Sequence, residues 1–598
     1  MIYILKCRPS ISLTKGVLIL MKKLLPFLKP YWAASLLAPL LMLLEVSMDL
    51  LQPRLMASII DEGIMTNNLD HIQETGLFMI VVALIGLVGG AGCTIFSSIA
   101  AQHFGKDLRI RLFEQIQSFS FRNLDERKTG SLITRLTNDV VQLQAFIQMV
   151  LRIFVRTPLL LIGSLAMAIM LSPNLAFILV VSVPVLFFIL YLLTKRSFPL
   201  FTKMQSKLDH VNTVLQENLS GVRVIKAFVR RDYEEQRFNK TNDDYTQAAI
   251  RANRLMALSM PLMTLVLNVS IVAVLWFGGL QYYQGSLEIG KLIAFINYVT
   301  QLLMSMLMLS NMLVFVSRAK VSADRVNEVL STYSEIENPI HPKHMSSDNE
   351  GSIEFSNVSF SYHNQEDDLV LTDISFKAEA GQMVAILGAT GAGKTTLVHL
   401  IPRLYEVYSG EIWVGGVPIQ DYDLEELRSK VAVVMQQAIL FSGTIRDNIR
   451  YGNPSASEEQ ILAAAKAAEA APFIEQLEKG YDTVLGQKGV NLSGGQKQRI
   501  SLARALVTDP AILILDDSTS AVDLKTEANI LKAMEQQKSN VTKMIIAQRI
   551  SSVTKADLIL VLNDGMIAAQ GTHEELLKTS SVYQDIYRSQ RKEDISYV

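Results

Sequence analysis

Val384-Ala-Ile-Leu-Gly-Ala-Thr-Gly-Ala-Gly-Lys-Thr-Thr396 is the stretch on which the reading of the chain turns. Val384 to Leu387 is a short apolar run of the kind that forms a buried strand, and Thr396 to Leu404 has the apolar spacing of a helix. Between them, Gly-x4-Gly-Lys-Thr is a P-loop in the strand–loop–helix context that the motif requires. Its glycines let successive backbone N–H groups converge into a concave nest, and the helix N-terminus adds positive potential. Gly388, Ala389, Thr390, Gly391, Ala392 and Gly393 thus form a cradle for phosphate oxygens, continued by Thr396. Lys394 supplies a cation for the β- and γ-phosphates and Thr395 a hydroxyl for Mg²⁺, so ATP and Mg²⁺ are the expected cofactors.

Further along, the apolar strand Ala511 to Leu515 ends in Asp516 and Asp517. A strand ending in two acids beside a P-loop suits a Mg²⁺ site, with Asp516 as the metal partner and Asp517 placed to orient the attacking water. Between the two motifs stands Leu492-Ser493-Gly494-Gly495-Gln496, leading into a helical stretch. Ser493 and two glycines at a helix start make a second anion-binding end. One ATP in one monomer has little use for two such sites, whereas two subunits facing head to tail use both.

The other half of the 598-residue chain is of a different kind. Hydrophobic residues make up 49% of the sequence and charged ones only 19%, and almost all the long apolar runs precede Val316. Mean hydropathy is +0.26, too apolar for a disordered chain. Six runs are long enough to cross a hydrocarbon core of about 30 Å: Trp32 to Leu51, Gly76 to Ala100, Val150 to Leu171, Leu175 to Leu193, Leu255 to Leu280 and Leu292 to Val316. Met56 to Thr75 contains no Lys or Arg, whereas the two long connections after spans two and four are rich in both, among them Lys106, Arg109, Arg122, Lys207, Arg223 and Lys226. The positive-inside rule therefore puts both long loops, and with six spans both termini, in the cytoplasm of a multi-pass cell-membrane protein. Leu108, Leu112 and Ile116 continue a helical pattern out of span two, so the spans are expected to project beyond the bilayer.

Net charge is −1, without the basic footprint of a nucleic-acid binder. Cys7 and Cys93 alone support neither a disulfide framework nor a thiolate metal site. Residues 1–20 read as neither signal nor transit peptide, and Met21 opens an amphipathic approach to span one, so an upstream mis-assigned start is expected. The organisation is then a 1–20 extension, a transmembrane domain over 21–330, a polar linker over 331–350 and an α/β nucleotide-binding domain over 351–598.

With six spans, a P-loop and the Leu492–Gln496 motif on one chain, the sequence resembles the ABC exporters from Met21 to its end. The resemblance implies six transmembrane helices followed by an α/β ATPase, and two ATPs sandwiched between two such ATPases. Tyr362 matches the aromatic that stacks on adenine, and Gln436 matches the Q-loop residue that senses Mg²⁺ and the attacking water. Ser520 and Asp523 match the D-loop. Leu219 to Phe228 and the loop around Asn123 to Thr129 match the two intracellular coupling segments.

Two positions depart from the family pattern. The Glu expected after Asp516 is Asp517, and the switch His is Gln548. An Asp carboxylate retreats by roughly 1.5 Å, and displacements of that size cost about 100-fold in rate. Gln548 hydrogen-bonds but carries no proton or charge at neutral pH. The combination resembles the degenerate-site subunit of heterodimeric bacterial multidrug exporters. Its partner would be a second half-transporter with an intact Walker B Glu and switch His, whose ATP is completed by Ser493 of this chain. Within the membrane, Glu45 and Asp49 lie one turn apart, where carboxylates are costly and often functional, and they attract a cation, pair with Arg152 or Arg156, or face an aqueous cavity. Met304, Met308 and Met312 recur at helical spacing and suit small hydrophobic substrates or ordinary packing. ATP-driven export of hydrophobic or cationic drugs is the expectation, with a lipid flippase of the same architecture as the alternative.

Overall fold

The structure, a computed structural model, describes residues 24–344, 349–518, 523–535, 540–547, 549–550 and 553–596. The 1–20 extension, Ser520 and Gln548 lie outside the described residues. The chain forms two compact units. The first comprises residues up to Gln117 and Thr129–Thr332, the second Ser118–Lys128 and Tyr333 onward.

In the first unit each apolar run becomes part of a longer helix: α1 Leu25–Ile64, α2 Leu69–Gln117, α4 Thr129–Leu171, α5 Pro173–Ser220, α7 Arg231–Tyr283 and α8 Ile289–Leu330. All six are long and apolar enough to cross a membrane. Short helices interrupt the series: α3, Phe121–Asp125, between α2 and α4, and α6, Val222–Ala227, between α5 and α7. The polar extensions stay helical because they pair with one another. Arg135 donates to Glu328 at 3.0 Å, and Ser322 donates to the buried Asp139 at 2.7 Å, fastening α4 to α8. Leu108 and Leu112, on the extension of α2, are fully buried. Helices in a bilayer gain little from hydrophobic burial and associate through close packing at small residues. Gly89 of α2 is such a point: a Cβ there would stand 2.9 Å from the Leu41 carbonyl oxygen and 3.0 Å from the Glu45 nitrogen.

The second unit is built on a six-stranded sheet in the order β12-β11-β3-β10-β9-β6. Its parallel members are β3 Met383–Gly388, β6 Val431–Val434, β9 Ile512–Asp516, β10 Thr542–Ile546 and β11 Leu558–Asn563, with β12 Met566–Gly571 antiparallel at one edge. Strands covered on both faces read as unbroken apolar runs, and every residue of β9 is buried. Ile546 pairs in register with both Ile386 and Asp516, so β3, β10 and β9 end at one edge. A smaller antiparallel sheet, β2-β1-β4-β5, packs beside it, formed by β1 Ile353–Phe360, β2 Leu371–Ala378, β4 Ser409–Val414 and β5 Val417–Pro418; β7 Gly443–Thr444 and β8 Val484–Leu485 make a short pair.

Two segments outside the sheets complete the second unit. Part of the polar stretch expected to be a linker is laid along it: Asn338 bonds Asp423, Lys343 bonds Asp421 and His344 contacts Glu426, all within 2.8 Å. The other is Ser118–Lys128 with α3, which the chain contributes from between two membrane-spanning helices. A capping box in which Ser120 and Asn123 satisfy each other's backbone N–H groups starts this five-residue helix.

Candidate functional site

The carboxyl edge of a parallel sheet is where loops diverge and leave a crevice, and the aligned ends of β3, β9 and β10 open one there. A cleft of about 350 Å³ is lined by Thr390, Gly391, Gly393, Lys394, Thr395, Thr396, Gln436, Asp516, Asp517, Val370 and Ile546. Residues separated by more than 120 positions in sequence thus converge on one cavity. Gly393 takes a φ of +89° as it starts helix α9, Lys394–Leu400, a backbone conformation that L side chains rarely adopt.

Within the cleft, the Thr395 hydroxyl donates to Asp516 at 2.8 Å. Asp516 is 2% exposed, and burial pushes its carboxyl up, opposed by the Thr395 bond, the neighbouring His399 imidazole and the Lys394 ammonium. Burial likewise lowers Lys394, against the pull of Asp517 and Asp516. The Lys394 ammonium donates to the carbonyls of Gly388 and Ala389, at 2.9 and 2.7 Å, so its charge is met by neutral acceptors of the loop itself. A desolvated cation beside a loop of backbone donors fits a phosphate chain, and a hydroxyl bonded to a buried carboxylate offers the hard oxygens that Mg²⁺ prefers. These residues therefore fit ATP and Mg²⁺. Bound Mg²⁺ would polarise the phosphoryl oxygens.

Asp517 is 7% exposed and has a φ of 47°, and Gln436 Nε2 donates to its Oδ2 at 3.2 Å. The Q-loop amide and the second acid thus meet on the floor of the cleft. Next to them His399 points Nε2 toward Asp516 Oδ2 at 3.7 Å, a distance too long for a hydrogen bond. Sequence reading did not single out His399, which lies on the apolar α9 and carries no motif signal.

Tyr362 reaches the same region from beyond β1: its hydroxyl shares a 2.9 Å hydrogen bond with Thr396, and its ring meets Tyr405 edge-on with centroids 5.3 Å apart. Tyr405 in turn donates to Asp125 of α3 at 2.6 Å. Burial, reinforced by that bond, raises Tyr405 well above the ordinary phenol value, so it remains a donor at neutral pH.

Leu492 to Gln496 stands apart from the cleft. Ser493 caps helix α10, Gly494–Leu506, in a capping box with Gln496, and Ser493 and Gly494 are exposed. No residue of this motif lines the 350 Å³ cleft of the same chain. Asp523 accepts from the Thr526 backbone N–H at 3.0 Å, and such bonds hold its carboxyl below the usual value.

Within the transmembrane unit, two of the arrangements left open for the two acids occur together: Arg156 donates to Glu45 at 2.6 Å and to Asp49 at 3.0 Å, and both acids also border a cavity. Arg152 joins Glu45, Asp49, Gln52, Gly86 and Gly90 around a neighbouring cavity of about 750 Å³. Met304 and Met308 are exposed whereas Met312 is buried, and Phe295 is wholly within the helix core.

Residues 35–306 match the family model described as the ABC transporter transmembrane region, and residues 371–520 match the one described as ABC transporter. The ABC transporter ATP-binding protein YfiB of Bacillus subtilis (strain 168), uncharacterised in function, is 43% identical over 95% of this chain and 98% of its own length. An ATP-dependent lipid A-core flippase of Syntrophus aciditrophicus is 33% identical over 96% of this chain and 95% of its own. YgaD of B. subtilis, provisionally named a multidrug export ATP-binding/permease protein, is 33% identical over 95% and 99%. Among solved structures, a bacterial Atm1-family ABC exporter with ATP bound superposes with a TM-score of 0.78 at 27% identity, covering 92% of this chain and 97% of that one. With a six-helix membrane unit and an ATP-hydrolysing unit on one polypeptide, the chain belongs to the ABC transporter family as an exporter half-transporter.

Proposed function

We propose that this chain is the degenerate-site half of a heterodimeric exporter of hydrophobic or cationic small molecules, its termini and ATPase in the cytoplasm. Gly388 to Thr396 hold the phosphates of ATP, and Tyr362 faces the base. Thr395, Asp516 and Gln436 surround Mg²⁺. Leu492 to Gln496 and the D-loop residues Ser520 and Asp523 serve the ATP held by the partner. The observation that carries this reading is Asp517: its shorter carboxylate is held by Gln436 on the cleft floor, away from the reach a glutamate would have. With Gln548 in place of a titratable switch residue, this cleft binds ATP and turns it over poorly, and the partner's site does most of the hydrolysis.

Its test is ATP turnover by the chain purified alone against the chain co-purified from its native host. Low activity alone and drug-stimulated activity in a complex with a second ABC subunit support the proposal. Robust turnover by a pure homodimer removes it.

A second reading, a flippase for lipid-like substrates, is favoured by the pairing of Arg156 with both Glu45 and Asp49, which leaves those acids little attraction for a cationic drug. Stimulation of ATPase activity by lipids rather than by hydrophobic cations distinguishes the two.

A further inference from the structure

The coupling segment Ser118–Lys128 is joined to the cleft by side chains, and those contacts arrive at the end where the base would lie. From α3, Arg122 donates to Glu335 at 2.6 Å and to the carbonyl of Ser361 at 3.3 Å, one residue before Tyr362. Asp125 accepts the Tyr405 hydroxyl at 2.6 Å, and Phe121 packs edge-on against the same ring with centroids 5.9 Å apart. Tyr405 is 6% exposed and stands perpendicular to Tyr362, whose hydroxyl is engaged by Thr396 of α9. The line Asp125–Tyr405–Tyr362–Thr396 is therefore continuous, and all of it belongs to the second unit.

We propose that Tyr405 is a positioning residue through which the coupling segment senses the base of the bound nucleotide, Tyr362 being the moving part. The proposal rests on the reading of Tyr362 as the base-facing aromatic. To lie flat against a purine, the Tyr362 ring has to give up its edge-on contact with Tyr405 and its bond to Thr396. A close-packed site does not leave the vacated space empty, so the Tyr405 ring, 6% exposed, repacks toward it and its hydroxyl pulls on Asp125. Ligands that fill the phosphate cradle without a base leave the line undisturbed.

The test is hydrogen–deuterium exchange of residues 118–128 in the full chain reconstituted in lipid nanodiscs, with a non-hydrolysable ATP analogue or with inorganic tripolyphosphate as ligand. In the wild type the analogue should change the exchange rate of 118–128 and tripolyphosphate should not. Tyr405→Phe keeps the ring and loses the hydroxyl. It should reduce the analogue's effect on 118–128 by about two- to ten-fold, the worth of one hydrogen bond, with nucleotide affinity unchanged. Asp125→Ala, at an exposed position, should do the same should Tyr405→Phe fold poorly, and Asp125→Asn, which keeps an acceptor oxygen, should restore the response. A Tyr405→Phe or Asp125→Ala protein that responds like wild type overturns the proposal, as does an equal response to tripolyphosphate, or a wild-type segment that ignores bound nucleotide. Failure of the wild type to bind the analogue at all would strike the ATP-site assignment itself. Unchanged affinity for the analogue in Tyr362→Ala would strike the base-facing role of Tyr362, whereas loss of affinity with a full response at saturating analogue would overturn the proposal.

Discussion

Asp517 and Gln436 meet on the floor of the cleft, and their bond makes the proposed weakness of the site testable one side chain at a time. Asp517→Glu combined with Gln548→His should raise turnover by the chain's own site by about 10- to 100-fold, the range that a displacement of about 1 Å costs, measured as phosphate release by the purified chain. Lys394→Ala should weaken nucleotide binding, read by equilibrium titration, because it removes the cation that the loop carbonyls now hold. The identities of these residues were legible in the sequence because backbone nests, hydroxyls and strand-end acids occur at fixed spacings. Their bonding was not. Whether Arg152 or Arg156 would pair with Glu45 and Asp49 depends on the rotation of α4 against α1, and a periodicity argument about either helix alone does not contain it. The structure chooses Arg156 for both. Arg156→Met should lower thermal stability in detergent by about 1–3 kcal/mol, less than a fully buried pair costs to break because Asp49 stays partly exposed. Adding Glu45→Gln and Asp49→Asn to that variant should recover much of the loss.

Helices and strands differ in how much of them the sequence displays. The six spans were visible as apolar runs, and the helical pattern of Leu108 and Leu112 signalled that they run on past the bilayer, but the bonds that fasten the polar extensions, Arg135–Glu328 and Ser322–Asp139, were not, because they carry no hydropathy signal. The stretch expected to be a linker was read from its lack of periodicity, and that pattern does not reveal that its polar side chains are spent on Asp421, Asp423 and Glu426. At the contact of α1 and α2, Gly89 faces backbone atoms that have no side chain to move aside. Gly89→Val should therefore force the two helices apart, at a cost of about 1–3 kcal/mol or more, read as a lowered melting temperature and poorer yield from the membrane. A change at Gly76, where an added Cβ meets nothing within 4 Å, should be silent in the same assay.

For the whole molecule, the expectation concerns two chains. If this subunit lends its exposed Ser493 end to a partner and hydrolyses little itself, the two halves of its ATPase contribute unequally. Gly495→Asp, which brings a carboxylate to a phosphate-binding helix end, should lower turnover of the complex by at least about 100-fold. Asp517→Ala should lower it by less than about two-fold, because little hydrolysis depends on that carboxylate. Equal losses in a steady-state assay would contradict the asymmetric reading. At this scale the sequence showed the architecture well, since each half announces itself by composition or motif. It could not show that the chain crosses the boundary between the halves three times. The Tyr405–Asp125 bond joins positions 280 residues apart, and no local pattern marks it. Because residues 118–128 fold with the ATPase, cutting the chain near Tyr333 does not yield two complete pieces. The detached ATPase would inherit a socket around Tyr405 with nothing to fill it, and the helical piece would keep a plug with nowhere to go. A chimaera that grafts a foreign ATPase onto these helices would have to bring its own 118–128 as well, so the portable module of this transporter is discontinuous in sequence.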